Sequence, residues 1–191
     1  MPVYKNGDAT GRPDWVEISD TRPLTLDRDT AARIEPDDLK SLLVCVSGQL
    51  TVTHDKGRVT LNRSDWLVVP DTGALLHAVV PYIYGPAVEV LHVRGTWSAI
   101  SDANVFQARH DVEVERHFHD FHEYWAIVHG SGPIETEGEW YDVHAGDLVA
   151  TRMGDDHHMP AVEAAVEAVA IETEPHGLKR LGHLHRDVRS R

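Results

Sequence analysis

A chain of 191 residues, 41% hydrophobic and 26% charged, fits one soluble globular domain or two small ones sharing a core. The formal charge of −13 argues against a nucleic-acid partner, because a phosphate-binding face needs clustered Lys and Arg. The basic residues that do cluster, Lys179-Arg180 and the stretch from Arg186 to Arg191, read as a solvated tail. No apolar run approaches the ~20 residues of a membrane span, and the opening residues, Met1 to Asp8, lack the charged-then-apolar pattern of a secretory signal. A single cysteine, Cys45, excludes an internal disulfide and fits a reducing cytoplasm. Within Leu42-Leu43-Val44-Cys45-Val46 it reads as a small buried hydrophobe.

In chain order the predicted elements are short strands. Arg22 to Leu26, Leu42 to Val46, Leu50 to Thr53, Arg58 to Leu61, Trp66 to Val69, Leu75 to Val80 and Val88 to Val93 are rich in apolar and β-branched residues. Gly, Pro, Asn or Asp bounds each of them. Short helical turns are expected at Arg28 to Arg33 and at Pro36 to Lys40. After a linker from Trp97 to Asn104 the style resumes, with strands near 105–109, 112–119, 123–129, 133–137, 140–143, 147–151, 156–160 and 165–173. Ala161 to Ala170 has a helical look, but Val162, Val166 and Val169 are poor helix formers, so loop followed by strand is the reading there.

The two halves look like repeats of one unit. Gly48 aligns with Gly130 at an offset of 82, which also places Ser64-Asp65 on Gly146-Asp147 and Pro70 on Arg152. Ala87 to Val90 matches Ala165 to Ala168 at an offset of 78, and extra residues around Pro81 to Pro86 account for the change.

Histidine is the compositional outlier, with 14 in the chain, eight of them between His110 and His158. His117 and His119, two apart on an extended strand, aim their imidazoles at one point. Glu123 joins them if the strand continues or turns tightly. Two His and one carboxylate with open positions suit Fe(II), Mn, Ni, Co or Zn, and no thiolate is present to select zinc or a cluster. His157 follows a turn, a short apolar strand and a second turn, and is a fourth ligand candidate.

These two stretches resemble the paired motifs of the cupin superfamily. The first motif has the form G-x5-H-x-H-x3-E-x6-G; His117, His119, Glu123 and Gly130 match it, with Asp111 in place of the leading Gly. The second has the form G-x5-P-x-G-x2-H-x3-N; Gly146, Gly154 and His157 match it, with Arg152 for the Pro and Ala161 for the Asn. The resemblance implies an all-β double-stranded β-helix, or jelly roll, with two cupin-like units in tandem. It also implies that His117, His119, Glu123 and His157 bind a divalent metal. The expected division is a unit at 1–98 without a metal site, a metal-binding unit at 99–180 and the basic tail at 181–191. At the offset of 82 the four ligands fall on Glu35, Asp37, Ser41 and Leu75, which is no ligand set, and His54 and His77 lack partners at ligand spacing.

Further residues follow from strand alternation. Trp125 and Ile127 share the inward face of Glu123, as core packing or as walls of the cavity, whereas His122, Tyr124 and His158 point the other way, supporting the ligands from behind or exposed. His129 and His144 are not expected as ligands. Arg152 is a candidate to hold a carboxylate or phosphate of a substrate, and with Glu123 is the candidate catalytic pair. The resemblance implies a cytoplasmic metal-dependent enzyme acting on a small polar molecule, foremost a dioxygenase-type oxidoreductase. The alternatives are an isomerase, epimerase or lyase, a zinc-dependent bond-forming enzyme, or a non-catalytic small-molecule sensor. Because exposed sheet edges in cupins are often covered by a second subunit, it also implies a homodimer.

Overall fold

The computed structural model describes residues 3–5, 8, 10–79, 87–174, 183 and 184. Expectations that fall on Val80, on Pro81 to Pro86, and on the tail apart from His183 and Leu184 lie outside the described residues. Among the described residues every regular element is a strand. In chain order they are β1 (Val3–Tyr4), β2 (Ile18–Asp27), β3 (Ala31–Ile34), β4 (Lys40–Ser47), β5 (Gln49–His54), β6 (Gly57–Asn62), β7 (Trp66–Val69), β8 (Ala74–Ala78), β9 (Ala87–Gly95), β10 (Ile100–Ala108), β11 (Val114–His117), β12 (Glu123–His129), β13 (Ser131–Thr136), β14 (Glu139–His144), β15 (Leu148–Thr151), β16 (His157–Met159) and β17 (Val166–Thr173).

The chain divides into two compact units. One comprises Ala9–Trp97 with Ala103–Val105; the other comprises Met1–Asp8, Ser98–Asp102 and Phe106–Arg191. The first, called here the N-terminal unit, has sheets in the orders β2-β9-β4-β7 and β3-β8-β5-β6. The second has the orders β1-β15-β12-β17-β10 and β11-β16-β13-β14. Each is a jelly roll whose core lies between its own two sheets. In the N-terminal unit Leu43, Cys45, Leu50, Val52, Leu76 and Val90 form that core. In the C-terminal unit Trp125, Ile127, Ile134, Val143, Val149 and Met159 do so. The strand period of two accounts for the selection: along β8 the residues alternate between buried Ala74, Leu76 and Ala78 and exposed Leu75 and His77.

The repeat is visible in the hydrogen bonds. Cys45 N–H donates to the Asp65 carbonyl and Ser64 N–H to the Cys45 carbonyl; Ile127, Asp147 and Gly146 repeat both bonds at the same offset. Asp65 Oδ2 accepts the N–H of Asn62, and Asp147 Oδ2 accepts that of His144. Gly48 and Gly130 have φ of 79° and 78°. At Gly130 a Cβ would collide with the Ala165 carbonyl oxygen. Ser64, at φ 69°, adopts the left-handed turn that Gly146 adopts in the other unit.

Several expectations are corrected. Neither helical turn forms: Thr30 N–H closes a tight turn on the Asp27 carbonyl, with Asp29 at φ 60°, and Ala31 to Ile34 then pairs with β8 as a strand. Residues 36–39 are irregular. The linker ends earlier than expected, since β10 begins at Ile100. Val3 and Tyr4 pair with Val149 and Leu148, so the start of the chain goes with the C-terminal unit. Both are buried there, a gain that an isolated dipeptide in the sequence does not announce.

Candidate metal centre

The last residue of β11, His117, pairs directly with the first residue of β16, His157. His119 follows two residues later, not on the strand as expected but in irregular chain that leads to the opposite sheet. The Gly154 N–H fixes that chain by donating to the His119 carbonyl, at 2.8 Å. Glu123 opens β12 on the other sheet, and Thr151 Oγ1 donates to its carbonyl at 3.0 Å. One sheet therefore supplies His117 and His157 and the other supplies Glu123, with His119 on the connection. Their ligand atoms all lie within 4.8 Å of one another, and all four residues are buried.

The rings are aimed from behind. His117 Nδ1 stands 2.5 Å from the Glu115 carbonyl and His157 Nδ1 stands 3.0 Å from the Asp155 carbonyl. A carbonyl only accepts, so each Nδ1 carries the proton and each Nε2 turns a lone pair inward. His117 Nε2 then lies 3.1 Å from His119 Nε2, and His157 Nε2 lies 2.8 Å from Glu123 Oε2. Acceptors that close repel unless a proton or a cation lies among them. Glu123 Oε2, His157 Nε2 and His119 Nδ1 are buried without a hydrogen bond of acceptable geometry. Buried polar atoms are normally satisfied. A divalent ion would satisfy the inward-facing Glu123 and His157 atoms at once, so the residues present fit a metal.

The electrostatics agree. Burial pushes the His117 imidazole down to about 4, which keeps it neutral and ligand-ready at pH 7. Burial alone would raise the Glu123 carboxyl, but His119 and His157 beside it outweigh burial and hold it below the usual range. Burial would likewise lower His157, yet Glu123 outweighs that and raises it. The site is thus a buried carboxylate seeking positive charge. Its walls are aromatic: Phe121 stacks on His119 with centroids 4.4 Å apart, and Trp125 meets His157 edge-on at 5.1 Å.

The other sequence candidates disperse. Trp125 and Ile127 are buried on the inward face. Arg152 is exposed in the turn between β15 and β16, where its own N–H donates to Asp155 Oδ2 at 3.2 Å, and it stands outside the four-residue cluster. His122 Nδ1 accepts the Met153 N–H at 3.0 Å. His158 lies 3.3 Å from Glu135, which also pairs with Arg116, away from the cluster. Tyr124 is wholly buried on the opposite face of its strand. His129 and His144 are exposed.

Two residues near the cluster were not singled out from the sequence. Glu172 on β17 is the direct cross-strand partner of Glu123, is 3% exposed, and shares its face. A glutamate near the end of the largely apolar closing strand, which also carries Glu167, was the available signal. His183 lies with its ring centroid 4.7 Å from that of His117 and 4.9 Å from that of His119. The neighbouring Leu184 and Phe118 exchange both backbone hydrogen bonds, each of 2.9 Å. At His183 and Leu184, inside the expected basic tail, the chain is therefore held against the C-terminal unit; spacing gave no cue, because the contact is made by the backbone of Phe118.

In the N-terminal unit the same register carries different chemistry. Ile34, the last residue of β3, pairs with Ala74, the first of β8. They occupy the places of His117 and His157, one residue before the Glu35 and Leu75 that a uniform offset selects. Ser41, opposite Arg94, takes the place of Glu123 opposite Glu172. Two apolar residues and a hydroxyl replace three ligands.

Comparison with known proteins gives a matching context. The family described as AraC-like ligand-binding domain matches residues 105–167. The protein y4oW of Sinorhizobium fredii, itself without assigned function, is 28% identical over 96% of this chain and 90% of its own length. Among solved structures, AerE from Microcystis aeruginosa superposes with a TM-score of 0.60 at 9% identity, covering 81% of this chain and 87% of AerE. The oxalate decarboxylase of Lactobacillus farciminis, solved as a formate complex, has a TM-score of 0.62 at 9% identity, covering 92% of this chain and 86% of that one. Among the described residues no helix is long and apolar enough to cross a membrane.

Proposed function

We propose that the chain is a metal-dependent enzyme of the cupin kind, acting on a small polar metabolite in the C-terminal unit. The observation that carries this reading is the convergence of four buried ligand residues, with Glu123 Oε2 and His157 Nε2 lacking a hydrogen bond of acceptable geometry. His117, His119, Glu123 and His157 would hold the ion. Fe(II), Mn, Ni, Co and Zn all accept such a nitrogen and oxygen set. Bound there, the ion would supply Lewis acidity and open positions for substrate and O2.

The chain's own residues do the rest. The carbonyls of Glu115 and Asp155 hold the His117 and His157 rings in place and fix their tautomers. Trp125 and Phe121 exclude water from the ligand side. His183 packs against the His117 and His119 rings. For reaction class the reading is a dioxygenase-type oxidoreductase, since three imidazoles and one carboxylate leave room for a substrate beside O2. Glu172 favours a second reading, an isomerase or lyase, because a buried carboxylate next to the site can hold and return a proton. The AraC-like match favours a third, ligand binding without turnover.

The test begins with metal content of the untagged protein. The expected result is one divalent ion per chain, lost in His119→Ala and Glu123→Ala. Wild-type protein without metal, after growth with each candidate ion, ends the enzyme reading. Turnover of a substrate by the Zn(II)-loaded protein under anaerobic conditions would overturn the dioxygenase assignment and leave the second reading standing.

A further inference from the structure

The N-terminal unit has lost its metal ligands but has kept a pocket. A cavity of about 320 Å³ opens between its two sheets, at the small end of the ~300–1,000 Å³ typical of ligand pockets. Leu24, Ala32 and Ile34 form its apolar part, each half-buried or buried. Ile34 holds the place that His117 holds in the other unit, so the pocket lies where that unit keeps its metal centre. His92 also lines it, only 8% exposed, with Nε2 held 3.0 Å from Ser41 Oγ.

The charges around this cavity come in pairs. Arg94 pairs with Asp37 and stands 3.9 Å from Asp20, and Arg22 lies 3.3 Å from the same Asp20. Arg33 lies 2.9 Å from Glu35. A simple anion entering here would have to displace a carboxylate from a guanidinium and leave it beside the newcomer. A simple cation would face the converse problem. A molecule carrying both charges can insert into the Arg94–Asp37 pair and leave the balance of charge unchanged. Guanidinium favours a carboxylate through its planar fork of donors, and a carboxylate favours an ammonium.

We propose that the N-terminal unit binds a small zwitterion of the amino-acid type without a metal, its carboxylate on Arg94, its ammonium on Asp37 and its side chain over Leu24, Ala32 and Ile34. His92, held by Ser41, donates to or accepts from the ligand's polar end. The size of the cavity restricts the ligand to a short side chain. This site is separate in the sequence from the proposed enzyme centre and does not depend on it.

The test is calorimetric titration of full-length protein, stripped of metal with chelator, against the common L-amino acids, with acetate and methylamine as single-charge controls. The expected result is saturable binding of one or more short apolar amino acids, with acetate and methylamine at least about tenfold weaker. Arg94→Gln and Asp37→Asn should each raise Kd by about tenfold or more, the worth of one charged hydrogen-bond pair. His119→Ala should leave Kd unchanged. The Asp37 side chain is 38% exposed, so its variant keeps the test valid if Arg94→Gln fails to fold. Absence of binding by any amino acid overturns the proposal. So does acetate binding as tightly as the best amino acid, an unchanged Kd in Asp37→Asn, or binding that requires the metal.

Discussion

His117 and His157 stand directly across from each other, the last residue of β11 against the first of β16. Cross-strand partners share a face, so two residues forty positions apart present their Nε2 atoms to one volume without help from a loop. Their Nδ1 atoms are both held by carbonyls two residues earlier in the chain, Glu115 for one and Asp155 for the other. The same device appears twice because both histidines end or begin a strand beside a turn.

Removing a ligand is expected to abolish the centre rather than loosen it. Altering residues that merely orient a metal ligand typically costs about 10–100-fold in affinity, and loss of a direct ligand costs more. Metal analysis after dialysis should therefore find His119→Ala and Glu123→Ala essentially empty. Their melting temperatures should no longer rise on adding the metal, as wild type's should by mass action. A metal-dependent rise preserved in Glu123→Ala would place the ion elsewhere.

Glu172→Gln is expected to separate binding from chemistry. Glu172 faces the cluster but is not among the four residues whose ligand atoms converge, so the variant should retain its metal. If the carboxyl moves a proton in the reaction, kcat should fall by about 10²-fold or more, with the acid limb of the pH profile displaced. Equal metal content with unchanged kcat would reduce Glu172 to a packing residue.

Gly130→Ala should destabilise the C-terminal unit. The residue has φ 78°, and a Cβ there would collide with the Ala165 carbonyl oxygen. A left-handed conformation costs a non-glycine residue about 1–3 kcal/mol, and the collision adds to that. Denaturant unfolding would show it as a lower midpoint at unchanged slope. By contrast Gly138→Ala, at φ 81° with open space around its Cβ, should pay only the conformational part.

Cys45 supplies a pH prediction with a defined sign. Burial pushes its thiol up to about 12 from an ordinary value of 9.0. Between those two values the folded chain keeps a proton that the unfolded chain has lost. Stability contributed by the neutral thiol is thus whole below pH 9 and declines as pH rises towards 12. In the folded protein at pH 8 the buried thiol stays protonated, so alkylation should be negligible until denaturant is added. Replacement by Ala should flatten the alkaline limb of the stability curve, and rapid labelling of native protein would contradict the burial.

Much of the fold was legible because strand period and turn chemistry are local. Trp66 to Val69 and Glu123 to His129 carry both in their own residues, and the strands have those bounds. The repeat was legible through Gly48 and Gly130, whose positive φ marks the same turn twice. What failed was decided at a distance. Ala31 to Ile34 is a strand because β8 offers it an apolar partner, and Val3–Tyr4 is a strand because β15 lies open beside it.

The same division holds for the site. The sequence by itself determined the ligand types and their spacing, but the convergence of His117, His119, Glu123 and His157 rests on the pairing of β11 with β16 and on β12 opening in the facing sheet. Only the tertiary structure decided that Glu172 and His183 join them, and that Arg152 does not. Those positions depend on which strands lie side by side and on what the Phe118 backbone finds to pair with. It also decided that Ile34 and Ala74, rather than Glu35 and Leu75, stand in the metal's place in the N-terminal unit. A register shift of one residue turns a side chain to the other face, and register is set by pairing between strands, not by the residues of one strand alone.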